Sequence, residues 1–395
     1  MLLTKAEEAM LAGEKGEVLQ RSMRLLVRLG EIYGAERMIP VGSAQVAGVS
    51  YKSIGDPGRD FLEDYARQGA KVRIPTFLNP AGMDIEDWEE LRFPPEFAEQ
   101  QNRIMQAFRE MGIIMSASCT PYLAGNLPRF GEHIAWSESS AVSFSNSVIG
   151  ARTNREGGPS ALAAALCGVT ADYGLHRDQN RQPHYHVRVS ARLETSSDFA
   201  ALGYFVGKVV KDKIPYFTGI NEGGTDELKA LGAAMAASGA VALYHVDGMT
   251  PEARWAKKEG LQAVEFTDDD LKATYAKLSP GKDPDLIVIG CPHASLREIQ
   301  LIAGKLEGRT LKRPFWVCTS RVMKEAARRM GFAHTIEKAG GHLVADTCMV
   351  VAPIEDMGYK TTAVNSGKAA SYLPGFCKQN VVFGRLDDLI EMASK

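Results

Sequence analysis

The sequence has no excess of charge of either sign. Its 395 residues include 46 lysines and arginines against 48 aspartates and glutamates, so the net charge is −2. A general nucleic-acid-binding protein usually carries a basic excess, and we therefore expect no nucleic-acid partner. The hydrophobic share of 45% and the charged share of 24% are ordinary for a globular protein, which excludes a disordered chain, a collagen-like fibre and a coiled coil.

Long hydrophobic runs are also absent. Glu7 and Glu8 lie near the N-terminus and no apolar core follows them, so the segment is unlike a secretory signal. The least polar run, residues 230–244, contains Ser238 and Gly239 and is shorter than the roughly 20 residues that a transmembrane helix needs. We expect a buried helix, a turn and a strand there, and a cytoplasmic protein that does not contact membranes.

The six cysteines form no C-x-x-C pair, which disfavours a zinc ribbon, a thioredoxin motif and a ferredoxin run. Cys167, Cys318 and Cys377 occur in patterns typical of a helix, a buried strand and a tail segment. For these three cysteines we predict structural roles, because a free cysteine usually behaves as a small buried hydrophobic residue.

Apolar runs alternate with helical patterns along the chain. The spacing of apolar residues predicts helices within 5–36 and over 94–112 and 157–168, and strands at 240–246, 285–290 and 314–320. Residues 183–193 alternate as an exposed or half-buried strand does. This order predicts an α/β protein with mainly parallel sheets, arranged in two or three closely packed lobes.

Two cysteines follow predicted strands. Cys119 comes after the apolar run 113–115, and Cys291 comes directly after the strand at 285–290. Because ligands in open α/β sheets bind beyond the carboxyl ends of the strands, both are candidate site residues. Cys348 precedes the apolar run 349–352 and is expected to begin a strand, so its position is a weaker argument. Three cysteines from distant segments suit an iron–sulfur cluster with one iron that the protein does not ligate.

Small polar loops form a second candidate feature. No G-x-G-x-x-G fingerprint and no P-loop are present. Backbone N–H groups and short side chains that could bind an anion occur instead in four loops, Ala47-Gly48-Val49-Ser50, Leu78-Asn79-Pro80, Glu138-Ser139-Ser140 and Asn365-Ser366-Gly367-Lys368. Each loop can also be an ordinary turn or helix cap.

Two further pairs of residues leave alternatives open. Arg152 and Arg155 can each bind a carboxylate through two parallel hydrogen bonds, or form a surface ion pair. His184 and His186 share one face of an alternating strand, where we predict a packed or solvated pair in preference to a metal site.

Several motifs resemble one family. SAQVAGVSYKSIGD, SCTPYLAGNLP, HIAWSESSAVSFSNSVIGARTNREGGP, IGCPHAS, DTCMV and NSGKAA are similar to the large subunit of aconitase X, over residues 4–390. The resemblance is greatest to the archaeal two-subunit form, which dehydrates (R)-5-phosphomevalonate to trans-anhydromevalonate 5-phosphate in the archaeal mevalonate pathway. It implies an aconitase-like fold of two or three packed lobes over 4–390, without the swivelling domain.

The resemblance also implies a site. The family carries a 4Fe–4S cluster on three cysteines, which correspond here to Cys119, Cys291 and Cys348. It implies substrate contacts at Gly48, Val49, Ser50, Asn79, Pro80, Ser139, Ser140, Ser366, Gly367 and Lys368. The catalytic serine base is expected from a separate small subunit that carries the swivelling domain, so no catalytic base is expected in this chain.

Three other functions remain open at this stage. The same family includes a dehydratase of cis-3-hydroxy-L-proline, which needs no phosphate site. A regulatory or binding protein whose cluster senses iron belongs to another class, and the balanced charge argues against its binding RNA. A metal-free α/β enzyme that binds phosphate is the last alternative.

Overall fold

A computed structural model describes residues 1–394. The helices are α1 (Lys5–Ala12), α2 (Glu17–Ile32), α3 (Tyr51–Arg67), α4 (Pro95–Glu110), α5 (Ser139–Phe144), α6 (Gly158–Cys167), α7 (Ser196–Val210), α8 (Thr225–Gly239), α9 (Asp268–Leu278), α10 (Leu296–Leu306), α11 (Arg321–Arg329), α12 (Phe332–Lys338), α13 (Gly367–Phe376) and α14 (Leu386–Ser394). The strands are β1 (Met38–Pro40), β2 (Ala44–Val46), β3 (Thr76–Leu78), β4 (Ala135–Trp136), β5 (Val169–Ala171), β6 (Tyr185–Val189), β7 (Pro215–Thr218), β8 (His245–Val246), β9 (Gln262–Phe266), β10 (Leu286–Ile289), β11 (Phe315–Thr319), β12 (His342–Ala345), β13 (Thr361–Val364) and β14 (Asn380–Phe383).

Three of the four sheets are parallel, as the alternation of strands and helices predicts. The three-stranded sheet has the order β3-β2-β4, the four-stranded sheet β8-β7-β6-β9, and the five-stranded sheet β12-β11-β10-β13-β14. Within residues 1–394, the fourth sheet, the pair β1-β5, is antiparallel. Strand β6 lies between β7 and β9, and its burial alternates over residues 187–189, as expected of the half-buried strand predicted within 183–193.

Local sequence signals explain several helix boundaries. Helix α10 begins with a capping box, in which Glu298 N–H donates to Ser295 Oγ and Ser295 N–H donates to Glu298 Oε2. Helices α1 and α2 divide the predicted helical region 5–36 because Gly13 and Gly16 have φ of 89° and 96°. None of the helices within residues 1–394 is both long and apolar enough to span a membrane.

The carboxyl ends of two parallel sheets meet at one place. Strands β2, β3 and β4 lead into the loops that begin at Ala47, Asn79 and Ser137, and β10 and β12 lead into those that carry Cys291 and Cys348. Strand β13 leads into α13, which carries Lys368. Residues from all six segments line one cavity. Ligands in open α/β sheets bind beyond the carboxyl ends of the strands, and here two sheets contribute such ends to one cavity.

Two of the strand predictions at the cysteines were wrong. Residues 113–115 make only an isolated bridge, between Ile114 and Phe77, so Cys119 follows an extended segment instead of a full strand. Cys348 follows β12 instead of beginning a strand, and residues 349–352 form turns. The loop that carries Cys348 thus follows β12, the edge strand of the five-stranded sheet. Like Cys291, which follows β10, Cys348 lies beyond the carboxyl end of a strand of this sheet.

Candidate active site

The three candidate cysteines share one cavity of about 210 Å³. Cys119, Cys291 and Cys348 are 3%, 7% and 5% exposed. The other three cysteines are buried outside this cavity. The structure thus brings together three sulfur atoms that are far apart in sequence, with free volume beside them for a ligand.

Interactions between the thiols change their acidity. The hydrogen bond from Cys291 lowers the pKa of Cys348 to about 7, and the same interaction, together with burial, raises the pKa of Cys291. Burial raises the pKa of Cys119 to about 12, although the backbone N–H of His293 donates to its Sγ at 3.1 Å. The thiolate is the form that binds metal, and in this set Cys348 reaches it most readily.

The residues present fit a cluster bound by three cysteines. Within residues 1–394, no three cysteine, histidine or acidic side chains are arranged around one metal ion. A 4Fe–4S cluster is held differently from a single ion, because each cysteine sulfur binds a different iron of the cluster. Three buried thiols around one cavity, with an N–H donor to one sulfur, match that requirement.

A buried ion pair lies in the same cavity. Lys368, in the first turn of α13, donates to Glu138 Oε1 and to Ser140 Oγ, the latter at 3.1 Å. Burial opposes the ionisation of Glu138, but Lys368 lowers the pKa of that carboxyl group to about 2. Burial likewise disfavours the charged form of Lys368, but the attraction of the Glu138 carboxylate is larger than this effect, so the pKa of the lysine is raised. Both groups are therefore charged at neutral pH.

The hydroxyl groups of Ser139 and Ser140 donate hydrogen bonds to the carboxylate of this ion pair. Ser139 Oγ donates to Glu138 Oε1 at 3.1 Å, and Ser140 donates to the same oxygen through both its N–H and its Oγ at 3.2 Å. Ser139 lines the cavity, whereas Ser140 does not and contacts both members of the ion pair. Glu138 itself is absent from the contacts implied by the family resemblance, although it belongs to the loop that carries two of them.

Asn79 and Pro80, from the loop after β3, also line the cavity. The side-chain amide of Asn79 donates to Glu138. Its Oδ1 atom is buried and has no hydrogen-bond partner within residues 1–394. A buried acceptor without a partner is costly, so this oxygen can receive a donor from a ligand.

The remaining predicted contacts lie next to the cavity instead of lining it. Gly48 has φ of 78°, and the Val49 carbonyl accepts from Gln101 Nε2 at 2.9 Å. Ser50 is the N-cap residue of α3, and its Oγ donates to the Val351 carbonyl at 2.8 Å, which fixes the Cys348 loop. Their neighbour Ala47 lines the cavity.

Ser366 and Gly367 have structural functions in the fold. Ser366 Oγ caps α13 by accepting from the N–H of Ala369 at 3.1 Å. A Cβ atom on Gly367 would lie 2.8 Å from the carbonyl oxygen of Ala200. Both residues thereby position Lys368, and Ser366 also borders a second, small cavity beside Cys291.

His293 is a functional candidate that the sequence analysis did not single out. The imidazole is fully buried, and burial lowers its pKa to about 4. Nδ1 lies 3.2 Å from Ser118 Oγ, and Nε2 lies 2.9 Å from the Thr347 carbonyl. One neutral side chain therefore joins the segments of all three cysteines. The IGCPHAS motif contains this residue, but the sequence gives no sign of its partners.

Arg152 and Arg155 line different cavities. Arg152 pairs with Asp178 and lies in a different cleft, of about 420 Å³. Arg155 lines the cysteine cavity. The two histidines of β6 and the segment before it differ in burial. His186 is half-buried, with Nε2 2.9 Å from Thr218 Oγ1, whereas His184 is exposed, with Nδ1 accepting from the Ile214 N–H at 3.3 Å.

Family comparisons agree with this arrangement. Models of the aconitase X first, second and third domains match residues 1–179, 183–276 and 284–395. The chain therefore belongs to the aconitase X family. The family resemblance inferred from the sequence motifs is confirmed, and so is the α/β fold class.

Individual relatives cover the whole chain. A protein of Methanocaldococcus jannaschii named phosphomevalonate dehydratase large subunit is 53% identical, over 99% of this chain and 100% of its own length. The crystal structure of Thermococcus kodakaraensis aconitase X in its holo-form superposes with a TM-score of 0.94, at 49% identity and full coverage of both chains. The cis-3-hydroxy-L-proline dehydratase of Pseudomonas aeruginosa is 33% identical, over 98% of this chain but 69% of that protein.

Proposed function

We propose that this chain is the large subunit of a hydro-lyase that converts (R)-5-phosphomevalonate to trans-anhydromevalonate 5-phosphate. The observation that carries the proposal is the shared cavity of Cys119, Cys291 and Cys348 with the charged pair Glu138–Lys368. The full-length relative with 53% identity supports the choice of substrate. The three cysteines would hold a 4Fe–4S cluster.

The reaction removes the tertiary hydroxyl group of the substrate and a proton from the carbon next to its carboxylate. The C–O bond breaks, the electrons of the C–H bond form the new double bond, and the hydroxyl group leaves as water. A cluster with one iron free of protein ligands would supply Lewis acidity for the leaving hydroxyl group and the carboxylate. Lys368, which stays protonated in the cavity, would attract the negative charge of the substrate.

The base for the C–H proton is expected from outside the chain. Glu138 is the one carboxylate in the cavity lining, and with a pKa of about 2 it is too weak a base to remove this proton. We assign the base to a serine of a small subunit that carries the swivelling domain. Two facts support a partner: the M. jannaschii relative is named a large subunit, and the hydroxyproline dehydratase extends well beyond the match.

Substrate binding in this proposal uses two groups of residues. Asn79, Pro80, Ser139 and Lys368 would contact the substrate from the cavity lining. Gly48, Val49, Ser50, Ser140, Ser366 and Gly367 border these residues, and we propose that they contact the substrate when the partner closes the site.

The test is anaerobic co-expression with the small subunit, followed by product analysis by mass spectrometry. We expect the complex, and not this chain alone, to dehydrate phosphomevalonate. Turnover of cis-3-hydroxy-L-proline in its place would assign the second dehydratase function, which the 33% identical relative represents. A colourless, metal-free complex that binds phosphate without dehydrating either compound would refute the proposal. So would a complex that dehydrates neither compound and binds RNA only when iron is removed.

A further inference from the structure

The side chain of Arg155 lies at the opening of the cysteine cavity. The three thiols and Lys368 are at most 7% exposed, whereas Arg155 is an exposed residue of the same lining. Phe376, also in the lining, is 60% exposed. The cavity therefore has a deep end at the sulfur atoms and an open end at Arg155 and Phe376.

The guanidinium group of Arg155 has no partner in the fold. It makes no hydrogen bond or ion pair with any residue in 1–394, whereas Arg152 pairs with Asp178. The carboxylate next in sequence is turned inward, because Glu156 accepts from Ser160 Oγ at 2.6 Å and from Thr170 Oγ1 at 3.0 Å. The five N–H donors of this arginine form no hydrogen bond within residues 1–394, so they are free to bind a ligand.

The backbone on both sides of Arg155 is fixed. The Thr153 N–H donates to Asn146 Oδ1 at 3.0 Å, and Asn154 Nδ2 donates to the Tyr173 carbonyl at 3.1 Å. On the other side, the Glu156 N–H donates to the Trp136 carbonyl at 3.0 Å. The base of the side chain is thus held in place at the opening, which reduces the entropy lost when the guanidinium group binds an anion.

No carboxylate of the cavity lining is left to balance the positive charge of Arg155. Glu138 is the one carboxylate of the lining, and Lys368 already pairs with it. Arg155 is the second cation, so apart from the thiols the lining carries one positive charge more than it carries negative charges. The cavity is therefore suited to an anionic ligand with a charged group at its outer end.

The two ends of the proposed substrate match the two ends of the cavity. The hydroxyl and carboxylate groups take part in the reaction and belong at the cysteines, whereas the phosphate ester is at the other end of the molecule. We infer that Arg155 binds this phosphate through paired N–H donors, which makes it a specificity-determining residue for phosphorylated substrates. The inference rests on the proposed function and names the residue that recognises the phosphate.

The experiment compares three variants of the complex with the small subunit. Arg155→Gln removes the charge, and Arg155→Lys keeps the charge but not the paired donors. Arg152→Gln is the matched control, because it is three residues away, in a different cleft. KM and kcat for phosphomevalonate are measured, together with calorimetric Kd values for phosphomevalonate and inorganic phosphate, and with the inhibition constant of mevalonate, which lacks the phosphate.

We expect Arg155→Gln to raise KM and Kd for phosphomevalonate at least tenfold, with kcat changed less than threefold, and Arg155→Lys to lie between it and the unmodified complex. The inhibition constant of mevalonate should stay within twofold, and Arg152→Gln should leave all values unchanged. An equal loss for mevalonate would place Arg155 at the carboxylate and overturn the inference, and so would an unchanged KM. Inactivity of the unmodified complex would refute the proposed function instead, and the Kd of inorganic phosphate would then decide on Arg155 separately.

Discussion

Replacing Lys368 by methionine would leave the carboxylate of Glu138 buried without a cation. The pair lies in the cavity lining, with the lysine side chain 7% and the glutamate side chain 11% exposed. Breaking a buried ion pair by removing one partner is strongly destabilising, because the remaining charge stays desolvated. We therefore expect Lys368→Met to lose stability as well as activity.

The size of the loss follows from the pKa of Glu138. The carboxyl group has a pKa of about 2 in the fold against an ordinary value of 4.5. Since one pKa unit corresponds to about 1.4 kcal/mol, the environment of the ionised form contributes about 3 kcal/mol to the free energy of unfolding at neutral pH. A lowered pKa stabilises the fold above pH 4.5, and this contribution is lost as the pH falls from about 4.5 to about 2.

The assay is urea unfolding of the iron-free chain at pH 7 and at lower pH. We expect Lys368→Met to be less stable by about 3 kcal/mol at pH 7, with the difference shrinking as Glu138 becomes protonated. The double variant Lys368→Met/Glu138→Gln should recover most of the stability but none of the activity. Lys305→Met, which breaks the more exposed pair with Asp387, should cost less than about 1 kcal/mol. A loss as small as that control, or one independent of pH, would refute the reasoning.

Three further variants test other parts of the site. Cys291→Ser should lower iron content, sulfide content and activity together without changing the circular dichroism spectrum, whereas Cys167→Ser, outside the cavity, should change none of them; full activity in the first would remove that cysteine from the ligand set. His293→Ala should release iron to a chelator about tenfold faster, and equal rates would limit the histidine to packing. Gly158→Ala places a Cβ atom 2.4 Å from the carbonyl oxygen of Ala47, so kcat/KM should fall about tenfold with iron retained; an unchanged value would show that this loop can move freely.

The strands that place the site were predictable where they are long and uniformly apolar. The runs at Leu286–Ile289 and Phe315–Thr319 are fully buried strands, and Cys291 lies just beyond the carboxyl end of the first of them, as expected. The strand His342–Ala345 has four residues and follows two glycines, and the sequence pattern does not distinguish it from a loop. The apolar run after Cys348 is buried as turns, because burial alone does not require an extended backbone.

The polar part of the site depends on partners that are distant in sequence. Glu138 and Lys368 are 230 residues apart, and no local pattern shows that they pair. His293 bonds to segments 175 and 54 residues away. The motifs of the family resemblance include the three cysteines and several residues that line the shared cavity. The charge balance of this cavity and the lack of a partner for Arg155 within residues 1–394 follow only from the folded chain.

The origin of the three cysteines constrains how this chain can be assembled in the cell. Cys119 lies in the segment that matches the first domain of the family, and Cys291 and Cys348 lie in the one that matches the third. A ribosome releases the first of these thiols long before the last, so an inorganic centre that uses all three can only be installed after synthesis and docking are complete. Such a centre would afterwards act as a cross-link between these two segments, and its loss would weaken the contact between them at the cavity.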